Sequence, residues 1–532
     1  MSGKMEKKRI AIVGSGISGL SALYALRNTQ HEVHLFEKEE RLGGHTNTVP
    51  WTHNGKSTPV DTGFIVLNTA TYRSFPVKSR CLRSPKSNER PANFIKFLSA
   101  LRVKTVASEM TFGISRDAGA FEWSGTSGSS LFAQPSNALK LSFWRMIFDI
   151  IRFNQFALDL LAIPPGSPAA VAATEMSIGE YLEREGYSDA FRDDYLIPMT
   201  ACVWSTGADK CALEFPALTL VRFMWNHHLL STIAERPPWL TVEGGSSKYI
   251  DAVLDLAGNC EGHLGTPVLA ATRKGGKVEL RLGGRGEGQT EAFDEVVLAC
   301  HGDQARWMLG DEATATEKEI LDAFETTPNT AYLHSDLSLM PQRRTAWSAW
   351  NYLTTSKQRT PSSANLTTSS GALQTVCLTY DMNTLQHISR DLYKNVLVTL
   401  NPPHPPSPAL TQATYQYRHP LYNSRMVFAQ DRLHEIQGNQ GIWYAGAWTG
   451  YGFHEDGCRS GLQVGEALGG DAGWEVIDAK FMRGRKPVLE WKDQVVRIVI
   501  MLVQLWVSIL EGLMGVKRQK GMALKANGKK QL

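Results

Sequence analysis

The sequence predicts an α/β fold in which a domain built on a parallel sheet is interleaved with an α+β domain and followed by a C-terminal amphipathic helix. Three observations predict it. The first fifty residues read as strand, glycine-rich turn, helix and second strand; a strand, glycine and helix return near residue 450; the stretches between shift to helices and aromatic-rich strands. With 532 residues the chain exceeds what a single core organises, so two domains are expected. Hydrophobic residues at 42% and charged residues at 20% exclude a mainly disordered chain, and a net charge of +4 at this length makes no case for nucleic acid. Seven cysteines with no CxxC pair disfavour a zinc site or disulfide framework and suit a reducing compartment, so no metal is expected. Met1–Arg9 is basic and leads directly into a strand without an apolar segment and cleavage site, which suits the cytoplasm.

The strand Arg9 to Val13 ends in Ile-Ala-Ile-Val, and Gly14-Ser15-Gly16-Ile17-Ser18-Gly19 then opens the helix formers Leu20 to Leu26. A second apolar strand, Val33 to Phe36, ends at Glu37-Lys38, about twenty residues beyond the turn, as a dinucleotide-binding βαβ unit requires. Gly14 permits the turn, Gly16 lets backbone approach a pyrophosphate, and Gly19 lets helix pack on strand. The helix N-terminus offers N–H donors and positive potential to phosphates, and Glu37 suits ribose hydroxyls.

The continuation Gly43-Gly44-His45, six residues past Glu37, and the segment Asp61-Thr62-Gly63-Phe64 resemble the N-terminal signature of the flavin-containing amine-oxidase superfamily. That resemblance implies FAD as cofactor, a Rossmann-like domain of the amine-oxidase type, Gly43 and Gly44 extending the phosphate cradle, and Asp61 to Phe64 running beside the flavin. His45 stands where many relatives carry Arg. A flavin domain of this kind returns late in the chain. Ile442 to Trp448 reads as a buried strand ending at Gly446, and Gly452-Phe453-His454-Glu455-Asp456-Gly457 leads into the helical pattern Ser460 to Leu468, which would aim a helix N-terminus at the flavin. Between these ends, Gly244-Gly245 matches a glycine pair opening a helix, and strands are expected around Val268, Val278 to Leu282 and Glu295 to Ala299, with Val268 implied at the adenine. The cofactor domain is thus read as 8–72, 240–310 and 436–470.

Residues 92–239 and 311–435 are read as the substrate domain, with Ser142 to Ala162 an amphipathic helix. Strings such as YLIPMTACVWST (195–206), RFMWNHHLL (222–230) and TYDMNTLQ (379–386), together with GAWTGYGFHEDG, resemble one branch of the superfamily. Its members are predicted NAD/FAD-binding proteins related to the flavoprotein domain fused to some cyclopropane-fatty-acid synthases. The resemblance implies an oxidoreductase acting on a hydrophobic substrate, an acyl lipid, by hydride transfer to flavin N5. An amine oxidase, or a non-catalytic flavoprotein serving a lipid-modifying enzyme as partner, are the alternatives. Trp448, Tyr451 and His454 are the candidate catalytic groups, the imidazole because it titrates near neutral pH. His227-His228 reads as a structural pair or as cavity lining, and Cys458 is not expected to bind flavin covalently.

Residues 73–91 look like a polar, nonperiodic insertion, and Thr354 to Gly371 like a solvated loop. In 471–532, Val495 to Val516 puts Arg497, Gln504, Ser508 and Glu511 on one narrow helical stripe amid apolar residues, followed by a lysine-rich end. It suits a helix lying in a membrane interface, with a true span or docking onto the catalytic domain as alternatives.

Overall fold

The computed structural model describes residues 6–69, 92–164, 166–204, 211–230, 238–356, 377–478 and 486–513. The expected insertion at 73–91 lies outside them, as does most of 354–371. Thr354 itself is no loop residue: it ends the strand Trp350–Thr354 and is buried.

Five parallel strands form the first sheet, in the order Cys260–His263, Glu32–Phe36, Arg9–Val13, Glu295–Leu298, Ile442–Tyr444. Unbroken apolar runs such as Ile10-Ala-Ile-Val suit a sheet covered on both faces. Alternation along the strand separates those faces. Ile10 and Ile12 pack with the helix Ile17–Leu26, whereas Ala11 and Val13 belong to the core that holds Val278, Leu280 and Phe293 of the antiparallel meander 268–293. The edge strand Cys260–His263 has no apolar alternation and escapes the sequence reading; pairing with Glu32–Phe36 places it.

The helix Ile17–Leu26 is buried along its whole length because the helix His454–Ala467 lies across it. Three glycines one turn apart let the two backbones meet. A Cβ on Gly461 would overlap the Ser18 carbonyl, and one on Gly465 would fall 2.5 Å from Ala25 Cβ. This later helix starts at His454, six residues before the expected Ser460. Gly457 reads as a turn residue in sequence, but its missing side chain serves the helix crossing, where a Cβ would come within 2.7 Å of Ile17. The expected strand to Trp448 is also shorter: it stops at Tyr444, and Ala447–Thr449 makes a 3-10 turn.

The second sheet has seven strands in the order Thr411–Pro420, Thr326–His334, Leu397–Leu400, Cys377–Asp381, Trp350–Thr354, Phe112–Arg116, Phe121–Ser124. Phe143 and Met146 of the helix Leu141–Phe156, and Ile197 and Ala201 of Ile197–Trp204, share its core. The expected Ser142–Ala162 helix is α-helical over Leu141–Phe156 and continues as a 3-10 segment, Ala157–Ala162. The last described element is the helix Trp491–Leu513, whose polar stripe is turned to the protein.

Candidate active site

The glycine-rich loop sits where the strand Arg9–Val13 gives way to its helix. Gly14 adopts φ +106°, and a Cβ there would press against the Ala299 carbonyl oxygen at 2.6 Å. A Cβ on Gly19 would overlap the Gly14 carbonyl, so Gly19 serves helix-on-strand packing and does not face the cavity. Gly16 is different: nothing lies within 4 Å of the position a Cβ would take. Gly44 follows in space, its own Cβ position 3.3 Å from Gly16 Cα, so the two glycine loops form one cradle at the helix N-terminus.

The cradle opens on a cavity of about 540 Å³ lined from both ends of the chain. Gly14 to Ser18, Glu37, Lys38, Gly43, Gly44, His45, Thr62 to Phe64 and Val268 line it, as do Trp448, Tyr451, His454, Glu455 and Asp456. Gly19, Asp61, Gly446 and Gly457 do not. Asp61 points instead at the Gly244-Gly245 turn, accepting from Ser246 N at 2.9 Å, Ser246 Oγ at 2.7 Å, Thr48 Oγ1 at 2.5 Å and Gln386 Nε2 at 2.8 Å. Gly446 lies beneath Trp448, whose ring a Cβ would overlap.

Glu37 is buried, its Oε2 accepting from Ser15 N at 3.0 Å and Ser15 Oγ at 2.5 Å, its Oε1 from Glu39 N at 3.0 Å. The carboxylate thereby fixes the glycine loop while lining the cavity. Arg41, which the sequence reading passed over, folds around the second glycine loop and donates to the carbonyls of Gly44 at 2.9 Å and Thr46 at 3.3 Å. His45 cannot stand in for an arginine here. It is stacked on Tyr417 at 5.2 Å and near His301 and His419, and burial and those neighbours hold its pKa well below the ordinary value. No spacing in the chain could announce this cluster, because its members come from distant segments.

At the other end, three cavity-lining residues also bond to the protein itself. His454 donates or accepts at Thr46 Oγ1, 3.0 Å away, and stacks on Phe64 with ring centroids 3.5 Å apart. Burial pushes its pKa down to about 3, so the imidazole is neutral near pH 7. Glu455 reaches away, accepting from Asn93 N at 3.1 Å, Asn93 Nδ2 at 2.6 Å and Phe94 N at 2.8 Å, and so caps the helix Asn93–Ala100. Asp456 accepts from Tyr451 N and Phe453 N through one oxygen, at 3.0 and 3.1 Å, and closes the turn before its own helix. Trp448 donates to the Cys300 carbonyl at 2.8 Å, and the Tyr451 carbonyl accepts from Trp204 at 3.0 Å. Cys458 is buried in the helix layer outside the cavity.

Burial outweighs the three donated bonds and raises the Glu455 pKa from 4.5 to about 7. The folded state therefore binds this proton more tightly than the unfolded chain, so the stability it contributes is full below pH 4.5 and lost as pH rises through 7. The loss is on the order of 3 kcal/mol. Thermal unfolding followed from pH 4.5 to 8 is expected to show a falling Tm in the native protein and a flatter profile in Glu455→Gln.

The substrate half of the cavity is walled by Met110, Val203, Trp204, Phe223, Leu229, Trp350, Tyr380 and Leu400, with Asn226 and His227 between them. His227 ends the helix Ala217–Asn226, stacks on Phe223 at 4.1 Å and is held neutral by burial, its pKa pushed down to about 3. Trp350 lines the wall, whereas Asn351 is tied to Ser348 within the sheet. Elsewhere, His34 and His263 meet at 3.0 Å with Glu261 beside them on the sheet edge, but the Arg9 guanidinium, 3.3 Å from His34 Nε2, repels a dication.

Residues 12–77 match the model of an NAD(P)-binding Rossmann-like domain. The chain is 58% identical over 41 residues to an L-amino acid oxidase of Cerastes cerastes, and 51% identical over 41 residues to one of Pseudechis australis. These matches span only 8% of this chain and 8% of either relative. Solved structures match far more of it. Putrescine oxidase bound to putrescine aligns over 87% of this chain and 99% of its own, with TM-score 0.55 and 16% identity. A CLA-producing fatty acid isomerase from P. acnes aligns over 88% and 100%, with TM-score 0.55 and 14% identity. The cyclohexylamine oxidase of Brevibacterium oxydans gives 87%, 99%, 0.55 and 15%. The fold is thus shared with two amine oxidases and a fatty acid isomerase over most of the chain.

Proposed function

We propose that this chain, an FAD-dependent oxidoreductase with the fold of the flavin amine-oxidase superfamily, oxidises a hydrophobic substrate, an acyl lipid, at a membrane surface. The observation that carries the substrate class is the composition of the cavity wall. Among the described residues, Met110, Val203, Trp204, Phe223, Leu229, Trp350, Tyr380 and Leu400 make an aromatic and aliphatic wall with Asn226 and His227, and the acids Glu37, Glu455 and Asp456 that also line the cavity are bonded to Ser15, to Asn93 and Phe94, and to Tyr451 and Phe453. A wall of this composition accommodates an alkyl chain without desolvating a charge, whereas an amine would have to shed its proton before entering. A neighbour of the same fold is a fatty acid isomerase, which supports an acyl occupant.

The residues present fit the cofactor. The open space above Gly16, the abutting Gly44 and the helix N-terminus suit a pyrophosphate, with Arg41 as the nearby permanent cation and Glu37 beside the ribose position. Bound there, FAD supplies a hydride acceptor at N5. The chain's own part is to bind and orient. Trp204, Phe223 and Trp350 exclude water and grip the alkyl chain, and Trp448 and Tyr451 are held in place by their bonds to Cys300 and Asp456. His454, held neutral by burial and fixed by Thr46 and Phe64, would form part of the wall around the bound cofactor, and the N-terminus of its helix would add positive potential there.

Purified protein is expected to be yellow, and its flavin absorbance to bleach anaerobically with oleoyl or other unsaturated acyl lipids but not with putrescine. Anaerobic bleaching by amines, followed by peroxide release once dioxygen is admitted, would overturn the acyl reading in favour of an amine oxidase.

A further inference from the structure

The helix Trp491–Leu513 is turned inside out relative to a helix covering a soluble core. At 3.6 residues per turn, Arg497, Ile500, Gln504, Ser508 and Glu511 fall within an arc of roughly 80°, and that arc faces the protein. Arg497 pairs with Asp159 at 2.9 Å and donates to the Gln155 carbonyl. Gln504 Oε1 accepts from Arg152 at 2.6 Å, and Glu511 lies 3.3 Å from Arg145. On the opposite face Leu502, Leu505, Trp506 and Leu513 are between 57% and 79% exposed. The neighbouring helix extends this face with exposed Leu141 and Trp144. An apolar surface of this extent requires a partner.

We propose that this partner is a bilayer with anionic headgroups, and that the helix lies in the membrane plane with its polar arc pinned to the catalytic body. This rests on the membrane reading above and specifies its geometry. Three observations favour it over a span or a second copy. The 23 residues would reach across a bilayer, but a span would draw the Arg497–Asp159 and Arg145–Glu511 pairs into hydrocarbon, and with them the helix Leu141–Phe156, whose Phe143, Met146 and Phe153 belong to the domain core. Positions 514–532 carry Lys517, Arg518, Lys520, Lys525, Lys529 and Lys530 and no Asp or Glu, a charge that suits anionic lipid and opposes pairing with a second copy. Finally, the segment Ala157–Ala162, which holds Asp159, packs on the helix whose Phe223 lines the cavity. The lipid-facing helix is one packed layer from the substrate wall.

The experiment is flotation of the full-length flavoprotein with phosphatidylcholine vesicles containing about 30% phosphatidylserine, followed by trypsin added outside the vesicles. The native protein is expected to float and its lysine-rich tail to remain cleavable. Leu502→Glu/Leu505→Glu/Trp506→Glu, all on the solvent-facing side, is expected to lower the floated fraction at least roughly tenfold with an unchanged flavin spectrum. Equal flotation of the triple variant overturns the proposal, and protection of the tail overturns it in favour of a span. A native protein that stays dense and forms a concentration-dependent dimer lost in the triple variant overturns it in favour of a second copy. Colourless protein that floats leaves this inference standing while defeating the flavin reading.

Discussion

Gly16→Val is expected to abolish FAD retention while leaving the apoprotein folded. The separation of the two effects follows from the geometry at this position. Gly16 has φ −64° and ψ 178°, a conformation open to any residue, and no atom lies within 4 Å of a Cβ placed there. The protein thus leaves room for a Cβ at Gly16. The obstacle would be the cofactor, because the branched side chain projects into the cavity where the two glycine loops face the pyrophosphate and keeps the phosphate oxygens from the helix N–H groups. Loss of at least about 3 kcal/mol of binding, or roughly a hundredfold in Kd, is expected. Flavin absorbance after reconstitution and desalting reads the first effect, and the Tm of cofactor-free protein reads the second. A variant that keeps its flavin would place the cofactor elsewhere in the cavity.

Gly461→Val is expected to do the reverse and prevent stable folding of the cofactor domain. Its Cβ would overlap the Ser18 carbonyl at the crossing of Ile17–Leu26 and His454–Ala467, and that contact is backbone, which cannot swing aside as a long side chain could. Separating the helices would open the layer that includes Leu20, Leu23 and Leu462. Overpacking of this kind costs roughly 1–3 kcal/mol, and more where backbone must move. Insoluble expression or a Tm lowered by several degrees, with weakened flavin retention because both poles of the cavity shift, is the expected outcome. Gly461→Ala, which brings the same Cβ without branches, should show a smaller version of the same loss. A soluble, yellow Gly461→Val protein of native Tm would show that the two helices can separate at this crossing without loss.

Much of the cofactor end was legible because its signals are local. Val13 to Gly19 announces itself by strand, glycine spacing and helix, and Gly16 and Gly44 lie in the cavity as that pattern requires. Asp61 and Glu455 needed the tertiary structure: Asp61, which the resemblance sets beside the flavin, secures the Ser246 turn and does not line the cavity, whereas Glu455 does line it while its carboxylate caps a helix some 360 positions earlier in the chain. His454 was found by its motif, but its protonation state was not, since a pKa of about 3 comes from burial against Phe64 and its surroundings. Arg41 was overlooked because a lone arginine in a charged string looks like solvated surface until its bonds to two carbonyls of the glycine loop are seen.

By itself the amino-acid sequence determined the kind of fold, the dinucleotide cradle and the amphipathic character of the tail, because each is written in residues within one or two helical turns or one βαβ unit of each other. Only the tertiary structure decided which polar groups face the cavity, why Gly457, Gly461 and Gly465 are glycines, and which way the tail's stripe points. Those outcomes depend on contacts between segments hundreds of residues apart. Burial, charge pairing and backbone clearance arise at such contacts, and no periodicity along the chain encodes them.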